Sequence, residues 1–283
     1  MTSPQTILVL GGTGKTGRRV VGRLRAAGAT ARAAARHGGD VRFDWDDPAT
    51  WDAALDGAEA VYLVPPTVRM AYVPQVTAFL DRAEAAGVGH VTHLSARGVD
   101  LAPPEVPPRA VELDLAARDL SHSTLRPGWF MQNFSEGYFV PRGGTVAAPT
   151  GDGAEAFVHA EDIADAAVAT LLAPTDHAGA GYTLTGPEAL TFAEVAGRIA
   201  LAGGQPVAHD DLPRADWVAR AVAAGMPRDY ASLLAGLLDD ALRTGQGAAT
   251  TDGVERATGH AARSFADYAA EPEVVAVWAR ACA

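Results

Sequence analysis

Residues 6–17 read TILVLGGTGKTG, and they decide the fold of the chain. Thr6–Leu10 is an apolar run that predicts a buried strand, and Lys15–Ala27 has the apolar spacing of a helix. The turn between them carries the pattern G-x-x-G-x-x-G, on Gly11, Gly14 and Gly17. Glycines permit a tight turn, and the N-terminus of the following helix offers free N–H groups to phosphates. This combination predicts the dinucleotide-binding turn of a Rossmann fold.

Strands and helices alternate through the first half of the chain. Further strands are predicted at Thr30–Arg36, Asp40–Phe43, Ala60–Val64, His90–Ser95 and from Ser123 onward. The stretches between them predict helices at Asp47–Leu55, Tyr72–Ala86 and Ala110–Leu120. Such alternation is typical of βαβ units and a parallel sheet. The predicted fold class is therefore α/β, a Rossmann-type doubly wound parallel sheet.

The pattern changes after Pro127, and the stretch 211–245 is mostly helical in character. No linker or clean boundary separates the two halves. We therefore expect an NAD(P)-binding Rossmann domain over 1–150, with 156–172 packing back onto it. The remainder, 173–283, is expected to be a smaller, mostly helical C-terminal substrate lobe that does not fold on its own.

Composition limits the partners. The chain has 283 residues, of which 48% are hydrophobic, and its net charge is −11 without a basic cluster. These values indicate a large core and argue against nucleic acid or an anionic membrane as partner. The single cysteine, Cys282, cannot form an internal disulfide, and Ile7–Leu10 is too short for a signal peptide. We expect a cytoplasmic protein, monomer or homodimer, that acts on a small molecule.

The end of the second strand predicts the cofactor. NAD sites usually carry an acid there for the ribose 2′-hydroxyl, whereas this strand ends in Arg36, whose guanidinium can hold a 2′-phosphate. NADP(H) is therefore preferred over NAD. A Walker P-loop is excluded because Lys15-Thr16 follow the glycines at the wrong spacing. The residues expected to contact the cofactor lie in the turn and at strand ends: Gly11, Thr13, Gly14, Lys15, Thr16, Gly17, Arg36, Asp44, Trp45, Pro65, Ser95 and Pro127.

The usual catalytic pair of short-chain dehydrogenases, Tyr-x-x-x-Lys, is absent. Lys15 is the only lysine, and no tyrosine lies between Tyr72 and Tyr138. Ser95 stands where the serine of such enzymes stands, but without the pair we expect it to orient cofactor or substrate. Tyr138 and His159 are the other catalytic candidates, although a structural role is the simpler reading of His159. No His/Cys/Asp cluster has metal-ligand spacing and no Gly-x-Ser-x-Gly elbow occurs, so no metal is expected and hydrolase chemistry is excluded.

Several motifs carry a family resemblance. Beside the glycine turn these are HLS at 93–95, LRPGWFMQNF at 125–134, FVHAEDIA at 157–164, GPEALTF at 186–192, GMPRDY at 225–230 and RSFADY at 263–268. The chain resembles the NmrA-like, atypical short-chain dehydrogenase family over essentially its whole length, and within it the festuclavine/agroclavine dehydrogenase type of ergot alkaloid biosynthesis. The resemblance implies an NADP-binding Rossmann fold with a smaller C-terminal substrate lobe. It does not imply an alkaloid substrate.

The missing Tyr–Lys pair suits one type of reaction. Hydride addition to an iminium carbon (C=N⁺) neutralises a charge and needs no proton, whereas ketone reduction makes an alkoxide that needs a donor. A quinone or enone lies between these cases. The leading hypothesis is an NADPH-dependent reductase of an iminium or a conjugated acceptor, in secondary metabolism. Two alternatives stay open: an NmrA-type redox sensor that binds NAD(P) without turnover, and a non-redox cyclase or isomerase on the same fold.

The substrate pocket is expected beside the strand ends, because ligands of doubly wound sheets bind at their carboxyl edge. Its candidate residues are Trp129, Phe130, Phe134, Tyr138 and Tyr230. Aromatic faces would line it and attract a cation, although core packing explains some of these residues equally well. Glu112 matches the glutamate that the family carries on the helix after the fifth strand. A solvated helix face accounts for it equally well.

Overall fold

The computed structural model describes residues 5–282, without the side chain of Cys282. Its strands are β1 (Thr6–Leu10), β2 (Thr30–Ala35), β3 (Val41–Arg42), β4 (Ala60–Leu63), β5 (His90–Leu94), β6 (Ser121–Pro127), β7 (Thr145–Ala147), β8 (Ala154–Glu155), β9 (Gly181–Leu184), β10 (Leu190–Thr191) and β11 (Ala208–Asp210). Its helices are α1 (Gly17–Ala26), α2 (Trp51–Leu55), α3 (Val73–Ala85), α4 (Pro107–Ala116), α5 (Asn133–Glu136), α6 (Ala160–Leu172), α7 (Pro174–His177), α8 (Phe192–Gly203), α9 (Arg214–Ala223), α10 (Arg228–Gly236), α11 (Gly253–Thr258), α12 (Phe265–Ala269) and α13 (Pro272–Cys282). Within this described range, no helix has both the length and the apolar character needed to cross a membrane.

The described chain divides into two compact units. The first holds the described residues up to Pro127 together with Ala160–Leu184 and Gly253–His260, and the second holds the rest. The sequence predicts boundaries near 150 and 173, whereas the structure groups 128–159 with the second unit and 160–184 with the first. Strand pairing accounts for this division: β7 pairs with β11 and β8 with β10 in the second unit, while β9 pairs with β6 in the first.

The first unit is built on a seven-stranded parallel sheet in the order β3-β2-β1-β4-β5-β6-β9. Ile7 at the centre of the sheet pairs with Ala31 on one side and with Ala60 on the other. The inner strands are buried on both faces, which explains their continuous apolar runs. The predicted Rossmann-type doubly wound sheet is confirmed. The seventh strand, β9, is absent from the sequence prediction.

Helices cover both faces of this sheet. On one face α1 packs against α6, which also contacts β4, β5 and β6. On the other face α2, α3 and α4 share a core with the strands, centred on Leu8, Leu63, Trp51 and Phe79. Because side chains alternate along a strand, neighbouring residues supply the two cores. The carboxyl ends of the strands are thereby fixed side by side, and the candidate site lies there.

The second unit is mostly helical, as predicted, and is held together by an aromatic core. Fully buried rings from several elements form it: Phe134, Phe139, Phe157, Phe192, Phe265 and Trp278. The indole of Trp278 donates to the carbonyl of Phe134 (2.7 Å), which satisfies its buried N–H. Capping boxes fix the starts of α8, at Thr191 with Glu194, and of α12, at Ser264 with Asp267.

Candidate active site

The predicted glycine turn lies between β1 and α1. Gly14 donates its N–H to the carbonyl of Gly11 (2.8 Å), and Gly12 donates to Ala34 on β2 (3.0 Å). A Cβ at Gly17 would overlap the Gly11 carbonyl oxygen, and a Cβ at Gly12 would stand 2.7 Å from the backbone of β2. Only glycine fits at these two positions, so the turn closes as tightly as a pyrophosphate-binding turn requires.

The N-terminal end of α1 is suited to an anion. The turn residues that precede it present their backbone to solvent, since Gly11, Thr13 and Gly14 are exposed. Thr16 is buried and starts the helix by accepting hydrogen bonds at its carbonyl, while Lys15 is half-buried. The first turn of α1 contains no acidic residue, so the positive end of the helix dipole is not neutralised there.

Arg36 is exposed directly after β2. Its guanidinium forms neither a hydrogen bond nor a salt bridge with any residue of the range 5–282. Arg69 hydrogen-bonds Asp46 and lowers the pKa of that carboxyl most, and the charge of Arg36 lowers it further. Arg32, in contrast, donates to the carbonyls of Ala54 and Asp56 and is a structural residue. Arg36 is thus the guanidinium at this strand end that can receive a 2′-phosphate.

Asp44 and Trp45 follow β3, as predicted for residues beside the adenine. The backbone of Asp44 is fixed by Thr50 and by the indole of Trp51, which donates to its carbonyl (2.8 Å). Trp45 is half-buried and packs edge-on against Phe43, with ring centroids 5.0 Å apart. One edge of this indole is therefore held by the core, and the other part is accessible.

Ser95 and Glu112 form the polar centre of the carboxyl edge. Ser95 follows β5 and donates its hydroxyl to Glu112 Oε1 (2.6 Å). Glu112, on α4, is 4% exposed and also accepts from Arg126 of β6, through Nε (2.9 Å) and Nη2 (2.8 Å), and from Arg109 (3.1 Å). The solvated helix face that the sequence allowed for Glu112 is thereby ruled out. Neighbouring strand ends supply Pro65 and Pro127, the latter accepting at its carbonyl from the backbone of Arg97 and closing β6.

His93 lies two residues before Ser95, within β5. It is fully buried, and neither ring nitrogen has a hydrogen-bond partner among the described residues. Burial, opposed by the charge of Glu112 and assisted by that of Arg126, lowers the pKa of His93 to about 4. The imidazole is therefore neutral at physiological pH, and its buried polar atoms destabilise the fold.

The predicted substrate-pocket residues belong to the second unit and fall into two environments. Trp129 is half-buried and Tyr138 is 44% exposed, and both rings contact Phe139, at centroid distances of 5.6 and 6.5 Å. Phe130 and Tyr230 are half-buried. Phe134 is fully buried within the aromatic core, so its environment is that of a core residue and not of a pocket lining.

His159, a predicted catalytic candidate, is fully buried in the second unit. Its Nε2 lies 3.0 Å from Glu271 Oε1 and 3.2 Å from Gln132 Nε2, and its ring packs edge-on against Tyr268. Tyr268 in turn donates to the hydroxyl of Ser135 (2.7 Å). His159 thus connects Tyr268 of α12 and Glu271, which precedes α13, to Gln132. These contacts are those of a structural histidine, the role that the sequence favoured.

One group of possible metal ligands occurs among the described residues, formed by Asp162, Asp165 and His260, whose ligand atoms lie within 4.8 Å of one another. The sequence spacing did not reveal it, because His260 is remote along the chain. Arg23 pairs with both Asp165 and Glu161. Within the group, Asp165 is thus already paired with a guanidinium of α1, and this pair joins α6 to α1.

The sequence profile of the NmrA-like family matches residues 3–270. The chain belongs to the NmrA-like family. It is 35% identical to an uncharacterized oxidoreductase, YesF, of Bacillus subtilis over 280 residues, which cover 95% of this chain and 96% of the relative. It is 31% identical to agroclavine dehydrogenase of Claviceps fusiformis over 286 residues, which cover 94% and 96%. The resemblance to clavine dehydrogenases is thereby confirmed.

Among solved structures, the chain resembles the NADPH-dependent quinone oxidoreductase of Escherichia coli in complex with NADPH. The TM-score is 0.73 at 24% identity, and the match covers 93% of this chain and 98% of that one. The two proteins share a fold. The comparison agrees with the doubly wound sheet described above.

One residue of this NmrA-like chain was missing from the predicted site, and the contacts of a second were not predicted. Gly12 lies outside the G-x-x-G-x-x-G pattern, yet the approach of β2 requires a glycine there. Glu112 was noted, but its burial depends on Arg126, which comes from another strand. Glu112 lies on α4 and Arg126 on β6, so their ion pair depends on a tertiary contact that no local sequence pattern predicts.

Proposed function

We propose that this NmrA-like protein is an NADPH-dependent reductase that transfers hydride to an iminium carbon or to a conjugated quinone or enone. The observation that carries the proposal is the carboxyl edge of the sheet, where a turn that only glycine can form precedes the open end of α1. A side chain at Gly17 would collide with the backbone of Gly11 and one at Gly12 with β2, so only these glycines allow the tight turn that a dinucleotide requires. The named relatives are oxidoreductases, which supports the same conclusion.

Residues of the first unit would hold the cofactor. The turn and the N-terminus of α1 would bind the pyrophosphate, Arg36 would bind the 2′-phosphate, and Trp45 would contact the adenine. Pro65 and Ser95, at the strand ends, would contact the nicotinamide. Bound NADPH supplies the hydride.

Two aromatic residues are the candidates for binding the acceptor. Trp129 and Tyr138 offer accessible aromatic faces, which bind a flat conjugated molecule and attract a cation. The reaction at an iminium carbon ends without an oxyanion, so the absence of a Tyr–Lys pair costs it nothing. Binding, orientation and exclusion of water are then the tasks that the chain performs.

Fluorescence titration with NADPH and NADH tests the cofactor assignment, on the wild type and on Arg36→Ala. We expect NADPH to bind at least about tenfold more tightly, a difference of about 1.4 kcal/mol, and Arg36→Ala to remove this difference. Arg228→Ala, an exposed arginine on α10, is the matched control and should retain it. Equal binding of both dinucleotides by the wild type would contradict the role of Arg36.

Turnover tests the reaction. Cyclic iminium salts, quinones and enones are screened for acceptor-dependent oxidation of NADPH at 340 nm, about where the reduced nicotinamide absorbs. Consumption of NADPH with an acceptor supports the proposal. Tight binding of NADPH without turnover of any acceptor would favour the sensor function instead, and conversion of an acceptor without loss of NADPH would favour a cyclase or isomerase.

A further inference from the structure

The hydrogen bonds around Glu112 determine which partners Ser95 can have. Glu112 Oε1 accepts from Ser95 Oγ (2.6 Å) and from Arg126 Nε (2.9 Å). Glu112 Oε2 accepts from Arg126 Nη2 (2.8 Å) and from Arg109 Nη1 (3.1 Å). Both carboxyl oxygens thus receive two donors each, and the Arg126 contact is bidentate.

These contacts keep Glu112 ionised. Burial raises the pKa of the carboxyl, but the hydrogen bonds from Arg126 and Ser95 and the charge of Arg126 outweigh it, so the pKa lies below its ordinary value. An ionised carboxylate accepts hydrogen bonds and donates none. The proton of the Ser95 hydroxyl is therefore committed to Glu112, and the two lone pairs of Oγ remain for a bound molecule.

We propose that Glu112 is a positioning residue that holds Ser95 as a hydrogen-bond acceptor at the carboxyl edge, so that Ser95 binds an N–H group of the ligand. The proposal rests on the proposed function, because it concerns the end of β5, where that function would place the nicotinamide. The N–H group belongs either to the nicotinamide carboxamide or to a protonated C=N acceptor. Ser95 then gives no hydrogen bond to an oxyanion, which is the reverse of the task of a serine in ketone reduction.

Two measurements separate the two sources of the N–H group. The first compares the dissociation constants of NADPH and of its reduced 3-acetylpyridine analogue, in which a methyl replaces the amide nitrogen. The second compares kcat/KM for protonated 2-methyl-1-pyrroline and for menadione, which offers no N–H. Both ratios are measured in the wild type, Ser95→Ala and Glu112→Gln, with the exposed Glu105→Gln as control.

We expect the wild type to favour the N–H ligand by about tenfold in at least one ratio, which corresponds to one hydrogen bond. Ser95→Ala should abolish this preference. Glu112→Gln should reduce it, because the amide of the glutamine can donate to Ser95 Oγ and the serine hydroxyl can then donate to the ligand. Glu105→Gln should keep it. A preference in the first ratio assigns the carboxamide, and one in the second assigns the acceptor.

A purely structural role for Glu112 would raise both dissociation constants by the same factor, lower both kcat/KM values by the same factor and leave both ratios unchanged, which overturns the proposal. Glu112→Gln removes the buried carboxylate that pairs with Arg126 and can therefore destabilise the protein. Ser95→Ala keeps this ion pair, so it tests the preference for the N–H ligand in a variant that should fold. The binding ratio needs no turnover. A wild type that binds NADPH selectively over the acetylpyridine analogue but reduces no acceptor would refute the reductase function while supporting the role of Ser95.

Discussion

The unpartnered imidazole of His93 makes a specific prediction about pH and stability. His93 is fully buried in β5, and neither ring nitrogen has a partner among residues 5–282. We expect His93→Leu to stabilise the protein at neutral pH, because the substitution removes buried polar atoms that lose their hydration on folding. The gain should be about 1–3 kcal/mol. An apolar side chain of similar size also suits the surrounding core.

The pH dependence follows from the same burial. The pKa of His93 falls from the ordinary 6.5 to about 4 in the folded state, so the unfolded chain binds the proton more tightly. Stability is therefore complete above the unfolded pKa, declines as the pH falls from 6.5 toward 4, and then levels off. At about pH 5 the wild type should lose about 2 kcal/mol through this one group. His93→Leu should lack this loss.

Urea unfolding at about pH 8 and about pH 5 measures the effect, since the linear extrapolation gives the free energy of unfolding at each pH. The difference between wild type and His93→Leu should widen by about 2 kcal/mol at the lower pH. His90, whose pKa burial also lowers to about 4, contributes equally to both proteins and cancels. The exposed His37→Gln serves as a surface control. Parallel pH profiles of wild type and His93→Leu would refute the reasoning.

Three further substitutions test the turn and the aromatic residues. Gly17→Ala should abolish NADPH binding in a fluorescence titration, because its Cβ overlaps the Gly11 carbonyl, whereas Gly22→Ala, with nothing within 4 Å of its Cβ, should keep it. Phe134→Ala should lower the free energy of unfolding by about 3–5 kcal/mol in urea, as expected for a core ring. Tyr138→Ala, at an exposed ring, should change that free energy by less than about 0.5 kcal/mol but raise the acceptor KM; a KM equal to that of the wild type would remove Tyr138 from the site.

The fold was predictable where the sequence repeats one physical unit. Apolar strands bounded by glycine or proline and separated by amphipathic helices predict a parallel doubly wound sheet, and the structure has one. The β9 strand, Gly181–Leu184, escaped prediction because it is short and alternates buried and half-buried residues at the edge of the sheet. Its place beside β6 depends on a long-range pairing that no local pattern encodes.

The candidate site was predictable where a residue type is forced by backbone geometry. The tight turn requires the glycine at position 17 and predicts the start of α1. Arg36 was noted because it stands at the end of β2, where an NAD site usually carries an acid. The aromatic residues were harder to assign, because Phe134 and Tyr138 lie in the same aromatic-rich stretch after Pro127. The sequence does not indicate that the first is buried and the second exposed. The outcome for Phe134 depends on rings contributed by α8 and α12, far along the chain.

The strand end at Ser95 shows how one sheet edge can support different chemistry. A serine there is fixed by the strand, since its N–H donates to the carbonyl of Leu125 on β6 (2.8 Å). What the serine does is decided by the group that faces it from α4. A tyrosine–lysine pair on such a helix would leave the serine free to donate to a ligand, whereas Glu112, neutralised by Arg126, accepts the hydrogen bond of the serine hydroxyl. The charge on one helix, and not the fold, therefore decides whether this edge stabilises an oxyanion or binds an N–H group.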